Sequence, residues 1–330
     1  MIIMQRDRIV DITKGIAICL VIIGHQSDLP TTSHLIYSFH MPLFFLIAGY
    51  FFHVKGIRTQ LKGDYKRLIK PYVFSCLLYL LWYVLFGLKY QSLDMPVRAI
   101  KCAIFGSGAF HGSAIWGNYP TIGMIWFLLA LFWCRFVYNI LLYKIPKHKY
   151  LIGGMISIIA IIIDNYIINL PWSILPGISA ITFFMIGYFF RERQDFIMQY
   201  KCIIISVGIL CWWLAVFFSG TSMVNCNYKC YPLDIIGGCA GTWALYQISS
   251  WINNIGGKTV SFLVWIGANS MTILCAHFLE QSTFVWEHVH IPEIWYIILP
   301  IKFIYVILFT LVAYYFTYSR NLLKITKLEL

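Results

Sequence analysis

The sequence predicts an all-α integral membrane protein, a bundle of about ten transmembrane helices with both termini in the cytoplasm. Three observations support this prediction: the composition, the long apolar segments and the placement of basic residues. Of the 330 residues, 60% are hydrophobic and 12% are charged, and the mean hydropathy is +0.75. Soluble domains are about 45–50% apolar and about 25% charged. The composition therefore excludes a soluble globular enzyme, a disordered protein and a secreted disulfide-rich domain.

Ten apolar segments, bounded by polar, glycine or proline residues, approach the roughly 20 residues that one helical crossing needs. They lie at about residues 9–25, 35–53, 71–88, 121–143, 150–168, 172–190, 202–219, 234–252, 260–280 and 294–318. In lipid, backbone groups must be hydrogen-bonded internally, so continuous apolar segments favour helices over alternating barrel strands. The stretch 143–190 also allows one long broken helix followed by one span.

Individual features justify these elements in chain order. The first segment is retained as a helix, because no small-x-small cleavage site follows it. In the second segment, Pro42 predicts a kink and Gly49 predicts a close helix contact. The third begins at Pro71, after a basic loop. The loop 89–120 is rich in glycine, serine and aromatic residues, and we expect a lid or a re-entrant segment there. Shorter loops join the remaining segments.

The basic residues test the number of helices. With a cytoplasmic N-terminus, 19 of the 25 lysine and arginine residues fall on the cytoplasmic side and four fall outside, as the positive-inside rule expects. Arg135 and Lys302 fall within spans. A miscount by one helix would move every later loop to the other side. Topology thus explains the net charge of +12, and no nucleic-acid partner is predicted.

The first helix has a polar face formed by Asp11, Lys14 and His25. Lys14 and His25 are eleven residues apart, which is about 16–17 Å along a helix. A linear substrate with an anionic head and a reactive tip would match this spacing, with His25 as a general base. The alternatives are that Lys14 extends to the inner headgroups with Asp11 as its partner, and that His25 caps the helix.

Further candidates lie elsewhere in the chain. The loop residues Lys66, Arg67 and Lys70 would bind phosphates, although the positive-inside rule also accounts for them. The remaining polar candidates are His40, Trp126, Asp164, Asp234, Asn269, His277 and Glu280. For His277 and Glu280, three residues apart on one helix, a structural and a catalytic role are equally open.

Several common motifs are missing from the sequence. It has no Gly-rich phosphate loop, no Cys-x-x-Cys pair and no His-Glu-x-x-His motif, so ATP-driven transport, a structural zinc site and a zinc protease lose support. No metal is predicted. Cys226 and Cys230 lie in an outer loop, either as a disulfide or as two free thiols.

Five segments together resemble the membrane acyltransferase-3 family, and most closely its sugar O-acetylase (fucose 4-O-acetylase-like) branch. The segments are Arg8–Gly15 with Gly24-His25, Phe39–Phe45 with Gly49-Tyr50, Arg67–Tyr72, Ile125–Leu128, and Val264–Ser270 followed by His277. They cover about residues 6–318. The chain also departs from the family pattern: Asp64 stands three residues before Arg67, where the family often has a second arginine, and Ala48 stands where a serine is common.

The resemblance implies one membrane domain over residues 1–330, without an appended soluble domain, in a bacterial plasma or inner membrane. It implies an O-acyltransferase that moves an acetyl group from cytoplasmic acetyl-coenzyme A to a hydroxyl of a cell-surface or lipid-linked carbohydrate. The site residues expected on this basis are His25 as base, Asp11 orienting Lys14, the basic residues Lys14, Arg67, Lys66 and Lys70 on the phosphates, and His40, Trp126, Asn269 and His277 as substrate or supporting residues. The expected partners are the glycan acceptor and membrane lipid.

Three other functions remain open at this stage. A secondary transporter or flippase for a lipid-linked sugar would also use ten helices with a polar face, although no two related halves are evident. The same fold could use a succinyl or another acyl donor. A non-catalytic relative acting as a sensor is the third, and the intact pair of Lys14 and His25 argues against it.

Overall fold

Helices form nearly all of the chain that the computed structural model describes, which is residues 7–25, 30–109, 111–113, 117–218, 221–283 and 295–326. The helices are α1 (Arg8–Gly24), α2 (Pro30–Tyr37), α3 (His40–Tyr50), α4 (Ile57–Asp64), α5 (Lys70–Tyr90), α6 (Asp94–Phe105), α7 (Trp126–Lys144), α8 (Lys149–Tyr166), α9 (Ile174–Ser179), α10 (Ile181–Glu192), α11 (Gln194–Gln199), α12 (Lys201–Phe218), α13 (Leu233–Ile255), α14 (Gly257–Ala268), α15 (Ser270–Thr283) and α16 (Trp295–Thr326). A π-helical segment, Tyr65–Ile69, joins α4 to α5, and a 3₁₀ segment, Gly123–Ile125, precedes α7.

The described strands form one short antiparallel hairpin. Strand β1 (His111–Ser113) pairs with β2 (Gly117–Tyr119), with His111 opposite Tyr119. The all-α fold class is therefore confirmed apart from this hairpin.

Within the described part of the chain, four continuous helical segments are long and apolar enough to cross a membrane. They are Ile57–Tyr90, Gly123–Lys144, Pro146–Tyr166 and Ile174–Glu192. Helices α14 and α15 make a fifth if they count as one span, although they bend by 76° where they meet. Three shorter apolar helices, His34–Tyr50, Ile203–Phe218 and Ile298–Ala313, fall below that length. Each of the ten apolar segments is helical over most of its length, while ten complete spans stay a prediction.

The outer surface of the bundle is apolar, as lipid contact requires. On α5 alone, Leu77, Leu81 and Leu88 are each more than half exposed. Exposed apolar patches of this extent mark a membrane or protein contact. The buried core lies instead around α7 and α10, where Leu128, Tyr138, Phe183 and Phe184 are fully buried.

Helix α1 is fixed against α14 by a reciprocal pair of glycines. A Cβ on Gly15 would overlap the carbonyl oxygen of Leu263, and a Cβ on Gly267 would overlap the carbonyl oxygen of Asp11. Small residues of this kind let two helix backbones approach closely within a membrane. The crossing therefore fixes the height and rotation of the helix that carries Asp11, Lys14 and His25.

A second glycine pair fixes α3 against α10. A Cβ on Gly49 would overlap the carbonyl oxygen of Phe184, and a Cβ on Gly187 would overlap that of Leu46. The close contact that the sequence suggests for Gly49 is thus present. The partner glycine lies on a helix more than 130 residues away, so local sequence gave no indication of the pairing.

Three predicted segments differ from the structure in detail. The segment 35–53 is broken at residues 38–39, between α2 and α3. The segment 260–280 is bent at Asn269 rather than straight. The loop 89–120 contains α6, whose buried face includes Ala99 and Cys102, while Arg98 and Lys101 are exposed. Those charges interrupt the hydropathy pattern, and for this reason the sequence predicts a loop where the structure has an amphipathic helix.

Candidate functional site

A cavity of about 320 Å³ lies where α1 ends and where α3 and α7 begin. We call this the histidine end of the bundle. His25, His40 and Trp126 contribute to the cavity wall, together with Val21 from α1 and Leu274 from α15. Trp126 is the first residue of α7 and is 6% exposed. Three of the sequence-predicted site residues are therefore brought together around one interior space.

His25 is positioned by the end of its helix. As the C-terminal cap of α1, it donates its backbone N–H to the carbonyl of Val21. The hydroxyl of Tyr37 donates to the neighbouring carbonyl of Gly24 at 2.6 Å and lies 3.5 Å from the Nδ1 atom of His25. The capping alternative from the sequence is thus correct as a description of the backbone, while the imidazole itself faces the cavity.

A second imidazole lies directly beside His25. The ring of His277, on α15, has its centre 5.7 Å from the ring centre of His25. Its Nδ1 atom lies 2.8 Å from a carboxylate oxygen of Glu280, and both side chains are fully buried. A carboxylate accepts hydrogen bonds only, so the proton of this bond belongs to the histidine nitrogen. The Nε2 atom of His277 is then an acceptor, and it has no partner among the described residues.

His40 has a similar arrangement at the start of α3. Its Nδ1 atom donates to the carbonyl of Ile36 at 2.7 Å, which leaves Nε2 as the acceptor nitrogen. The ring centre of Tyr37 lies 5.2 Å from that of His40, and the Tyr37 ring also contacts the ring of His25. Tyr37 therefore lies between His25 and His40 in sequence and in space. His40 is 3% exposed, so its hydrogen bond is protected from bulk solvent.

Lys302 and Tyr37 were not predicted as site residues. Lys302 lies on α16, is 8% exposed, and is close enough to His25 for its charge to act on the imidazole. A signal for Lys302 existed, because a charged residue inside an apolar span is a functional candidate by default. Tyr37 had no such signal, since its contact with His25 depends on how α2 packs against α1.

Lys14 and Asp11 form the ion pair that their spacing suggests. The Nζ atom of Lys14 lies 2.7 Å from a carboxylate oxygen of Asp11, whose side chain is 3% exposed. The cavity next to His25 does not include Lys14 in its wall. The structure therefore shows the pair and leaves its role as a phosphate anchor a prediction.

The other basic candidates lie outside the wall of the histidine cavity, where the π-helical segment leads into α5. Lys66 and Arg67 are in the π-helical segment Tyr65–Ile69, Lys70 begins α5, and all three side chains are exposed. We call the end of the bundle that holds these residues, where α1 begins and α3 and α10 end, the basic end. No contact joins these three residues to Lys14 in the part of the chain described.

Asn269 occupies the bend between α14 and α15. Its side-chain amide donates to the carbonyl of Trp265 at 2.8 Å, and its backbone N–H also bonds to that helix. This is a helix-ending role, and Asn269 does not contribute to the cavity wall. It supports the site indirectly, because the bend sets the direction of the helix that carries His277.

A second cavity, of about 490 Å³, lies at the basic end between α1, α3, α10 and α13. A third of its lining residues are aromatic, including Tyr50, Phe190, Trp243 and Tyr246. Lys14 does not line this cavity either. Among the described residues, no cluster of three or more histidine, cysteine or carboxylate side chains could hold a metal ion.

The loop cysteines are unpaired with each other. Cys226 is buried, with its sulfur 3.6 Å from the hydroxyl of Ser179, and Cys230 contacts the carbonyl of Phe218. Both are free thiols, which is the second of the two alternatives that the sequence left open.

Taken together, the fold and the site define a helical membrane protein with a histidine-lined interior cavity. Residues 7–319 match the family model described as an acyltransferase domain, that of the acyltransferase-3 family. The chain belongs to this family, as its sequence motifs indicate.

One curated relative is the nodulation protein NolL of Mesorhizobium japonicum (strain LMG 29417 / CECT 9101 / MAFF 303099). It is 28% identical over 221 residues, which is 61% of this chain and 53% of that protein. The match thus spans about half the length of the relative. No solved structure matches the chain.

Proposed function

We propose that the protein transfers an acetyl group from cytoplasmic acetyl-coenzyme A to a hydroxyl of a cell-surface or lipid-linked carbohydrate, with His25 as the general base. The observation that supports this most is the histidine-lined cavity, in which His25 stands beside a second imidazole held by a buried carboxylate. Membership of the acyltransferase-3 family supports the same reaction class.

The chemistry of the proposed step is simple to balance. The acceptor oxygen forms a bond to the acyl carbon of the thioester, and its proton moves to the imidazole of His25. The carbon–sulfur bond then breaks, and the proton passes to the sulfur of the leaving coenzyme A. A buried cavity favours this step, because few water molecules compete with the acceptor hydroxyl.

The donor would enter from the basic end, where its phosphates meet Lys14, Arg67, Lys66 and Lys70. The distance along α1 supports this, since Lys14 and His25 are eleven residues, or about 16–17 Å, apart. The aromatic side chain of Trp126 and the acceptor nitrogen of His40 would contact the sugar or the acyl group in the cavity.

We further propose that the protein crosses a bacterial plasma or inner membrane ten times, with both termini in the cytoplasm. The segregation of basic residues supports this topology, because they concentrate on one side of the ten apolar segments. Among the described residues, four or five spans follow from helix length and composition alone, so the shorter apolar helices would have to cross by thinning the bilayer around them.

The test of the proposed function is mass spectrometry of surface glycans from cells with and without the gene. The glycans of the deletion strain should lose an increment of about 42 daltons, which is the mass that an acetyl group adds to a hydroxyl. Loss of a larger acyl group would show that the donor is a succinyl or other acyl thioester. Unchanged glycans, together with altered movement of a lipid-linked sugar, would contradict acyl transfer and favour a flippase.

A further inference from the structure

Arg135 is a charged residue near the middle of an otherwise apolar helix. It lies in α7, within the segment Gly123–Lys144 that is long and apolar enough to cross a membrane, and its side chain is 16% exposed. Charged side chains at this depth are costly and are kept for pairing, for transport or for ligand binding. The surroundings of the guanidinium distinguish these uses.

Asp64 holds the guanidinium by one edge only. The Nε atom of Arg135 donates to one carboxylate oxygen of Asp64 at 2.9 Å, and the side-chain amide of Gln60 donates to the other oxygen. Asp64 is 2% exposed. Asp64 bonds only to the Nε edge, so the two terminal amino groups of Arg135 make no hydrogen bond to this carboxylate. They have no other hydrogen-bond partner among the described residues.

The position of the guanidinium is also fixed from the side. Its central carbon lies 5.1 Å from the centre of the Phe52 ring, within the range of a cation–π contact. Phe52 is 2% exposed and follows the end of α3. Arg135 is therefore oriented by Asp64 and Phe52, while most of its donors remain available to a ligand.

A second guanidinium meets the same phenylalanine. Arg191, near the end of α10, donates to the backbone carbonyl of Phe52 and lies 4.7 Å from the centre of the Tyr188 ring. The neighbouring carboxylate of Glu192 accepts bonds from Lys149 at 2.7 Å on both oxygens. Arg135 and Arg191 thus both contact Phe52, and among the described residues only Arg135 has a carboxylate partner, Asp64, so positive charge is left in excess.

We propose that Arg135 and Arg191 form a phosphate-binding site beside Phe52 and that it holds a phosphate group of the acyl donor. This inference rests on the proposed function. Planar guanidinium groups suit phosphate oxygens because they offer paired donors in a fixed geometry. A carboxylate that binds the Nε edge aims the remaining donors at the ligand.

The depth of the site fits such a donor. Arg135 is nine residues from Trp126, which lines the histidine cavity, and this is about 13–14 Å along α7. Lys14 lies at a comparable distance from His25 along α1. A donor with its thioester in the cavity and its phosphates toward the basic end would therefore reach both positively charged positions.

The test compares donors with and without phosphate, using the purified full-length protein in detergent. The variants are Arg135→Gln, Arg135→Lys and Arg191→Gln. Lys144→Gln is the matched control, because it removes an exposed charge from the same helix. The donors are acetyl-coenzyme A, its 3′-dephospho form and acetyl-pantetheine, which has no phosphate. Coenzyme A binding is measured separately by its effect on thermal unfolding.

Arg135→Gln is expected to raise the KM for acetyl-coenzyme A about 10- to 100-fold, the loss typical of a charged hydrogen bond. The rate with acetyl-pantetheine should change by about twofold or less. Arg135→Lys keeps the charge but loses the paired donors, so its KM for acetyl-coenzyme A should lie between those of the wild type and Arg135→Gln. Equal losses with both donors would show that Arg135 only ties α4 to α7, and would overturn the proposal. Arg191→Gln gives the same comparison if the Arg135 variants do not fold.

Membrane lipid is another source of phosphate, and it is tested in the same preparation. Thermal stabilisation is measured with phosphatidylglycerol and with phosphatidylcholine micelles. If Arg135→Gln abolishes the response to phosphatidylglycerol but not the response to coenzyme A, the site binds a lipid headgroup and the proposal is wrong. If the wild type binds coenzyme A and transfers acetyl groups while Arg135→Gln matches it, only this inference fails. If the wild type does neither, the proposed function fails with it.

Discussion

Hydrogen bonding fixes the acceptor nitrogen of two histidines beside His25. The Nδ1 atom of His277 bonds to Glu280, and the Nδ1 atom of His40 bonds to the carbonyl of Ile36. In each ring, Nε2 is therefore the atom that can accept a proton. In many enzymes, an imidazole that is oriented by a buried carboxylate assists proton transfer at a neighbouring group. The residue pair His277 and Glu280, whose role the sequence left open, is thus placed where it can support His25.

Substitution of Glu280 tests this supporting role. In Glu280→Gln, the amide oxygen can still accept a hydrogen bond from Nδ1 but carries no full charge, so the bond that orients the His277 ring becomes weaker. We expect kcat to fall by about 10- to 100-fold, which is at most the lower limit of a full general acid–base contribution, with the donor KM within about twofold of the wild type. Steady-state kinetics with acetyl-coenzyme A measures both constants.

The matched control is Gln281→Ala, which alters the exposed neighbour on the same helix. A drop in kcat with Glu280→Gln and none with Gln281→Ala is the expected pattern. An unchanged kcat in Glu280→Gln, in a variant that is folded and monodisperse, would show that the pair is only structural.

Residue-scale prediction succeeded where local spacing was sufficient. The ion pair of Asp11 and Lys14 follows from i,i+3 spacing, and it is present at 2.7 Å. Sequence spacing could not predict contacts that depend on packing between distant elements. Tyr37 reaches Gly24 and His25 from α2, and Asp64 meets Arg135 across 71 residues. The sequence showed Asp64 as a departure from the family pattern, and only the structure supplied its partner.

Helix packing is set by close contacts between backbones. The glycine pairs Gly15 with Gly267 and Gly49 with Gly187 let α1 meet α14 and α3 meet α10. These crossings hold His25 and His40 at the histidine end, because they fix the helices that carry them. In a membrane, such small-residue contacts contribute van der Waals packing that lipid cannot replace.

A methyl group added at a crossing should be costly. In Gly187→Ala, the new Cβ would overlap the carbonyl of Leu46, so α3 and α10 must separate. The expected loss is about 1–3 kcal/mol, the usual cost of overpacking a well-packed core. It should appear as a lower midpoint of thermal unfolding in detergent.

Gly154→Ala provides the matched control on α8. Its new Cβ would meet only the Cε atom of Met185, at an ordinary 3.7 Å. The midpoint should therefore stay near the wild-type value or rise slightly, since alanine favours a helix. A Gly187→Ala protein as stable as Gly154→Ala would contradict the role given to the crossing.

Element-scale prediction found the helices and missed their interruptions. Hydropathy located each of the ten apolar segments, because burial in lipid or core selects the same residues. It did not show the break between α2 and α3 or the 76° bend at Asn269. Both interruptions keep an apolar composition on each side, so a hydropathy average passes over them. Both also lie in elements that lead to the histidine end.

At the scale of the whole molecule, the histidine-lined cavity and the exposed basic residues lie at different ends of the bundle. The histidine end holds the cavity with His25, whereas the basic end holds Lys66, Arg67 and Lys70. If the basic end faces the cytoplasm, the proposed donor, acetyl-coenzyme A, would bind there with its thioester toward the cavity. Acceptor and donor would then approach the same imidazole from different directions.

This orientation is tested with reporters fused after residue 330. A cytoplasmic C-terminus predicts a fluorescent green fluorescent protein fusion and an inactive alkaline phosphatase fusion, because the phosphatase folds only outside the cytoplasm. A fusion after Lys229, in a proposed outer loop, should give the opposite result. The reverse pattern at both positions would contradict the proposed topology and the cytoplasmic entry of the donor.

The most direct measurement is the release of coenzyme A by purified His25→Ala protein, with acetyl-coenzyme A and the glycan acceptor supplied together. His148→Ala, which alters an exposed histidine at the start of α8, is the control. Removal of the general base predicts a loss of about 10²- to 10⁴-fold in the transfer rate, with coenzyme A binding retained and the control unaffected. Full transfer by a folded His25→Ala protein would show that the imidazole does not take the acceptor proton.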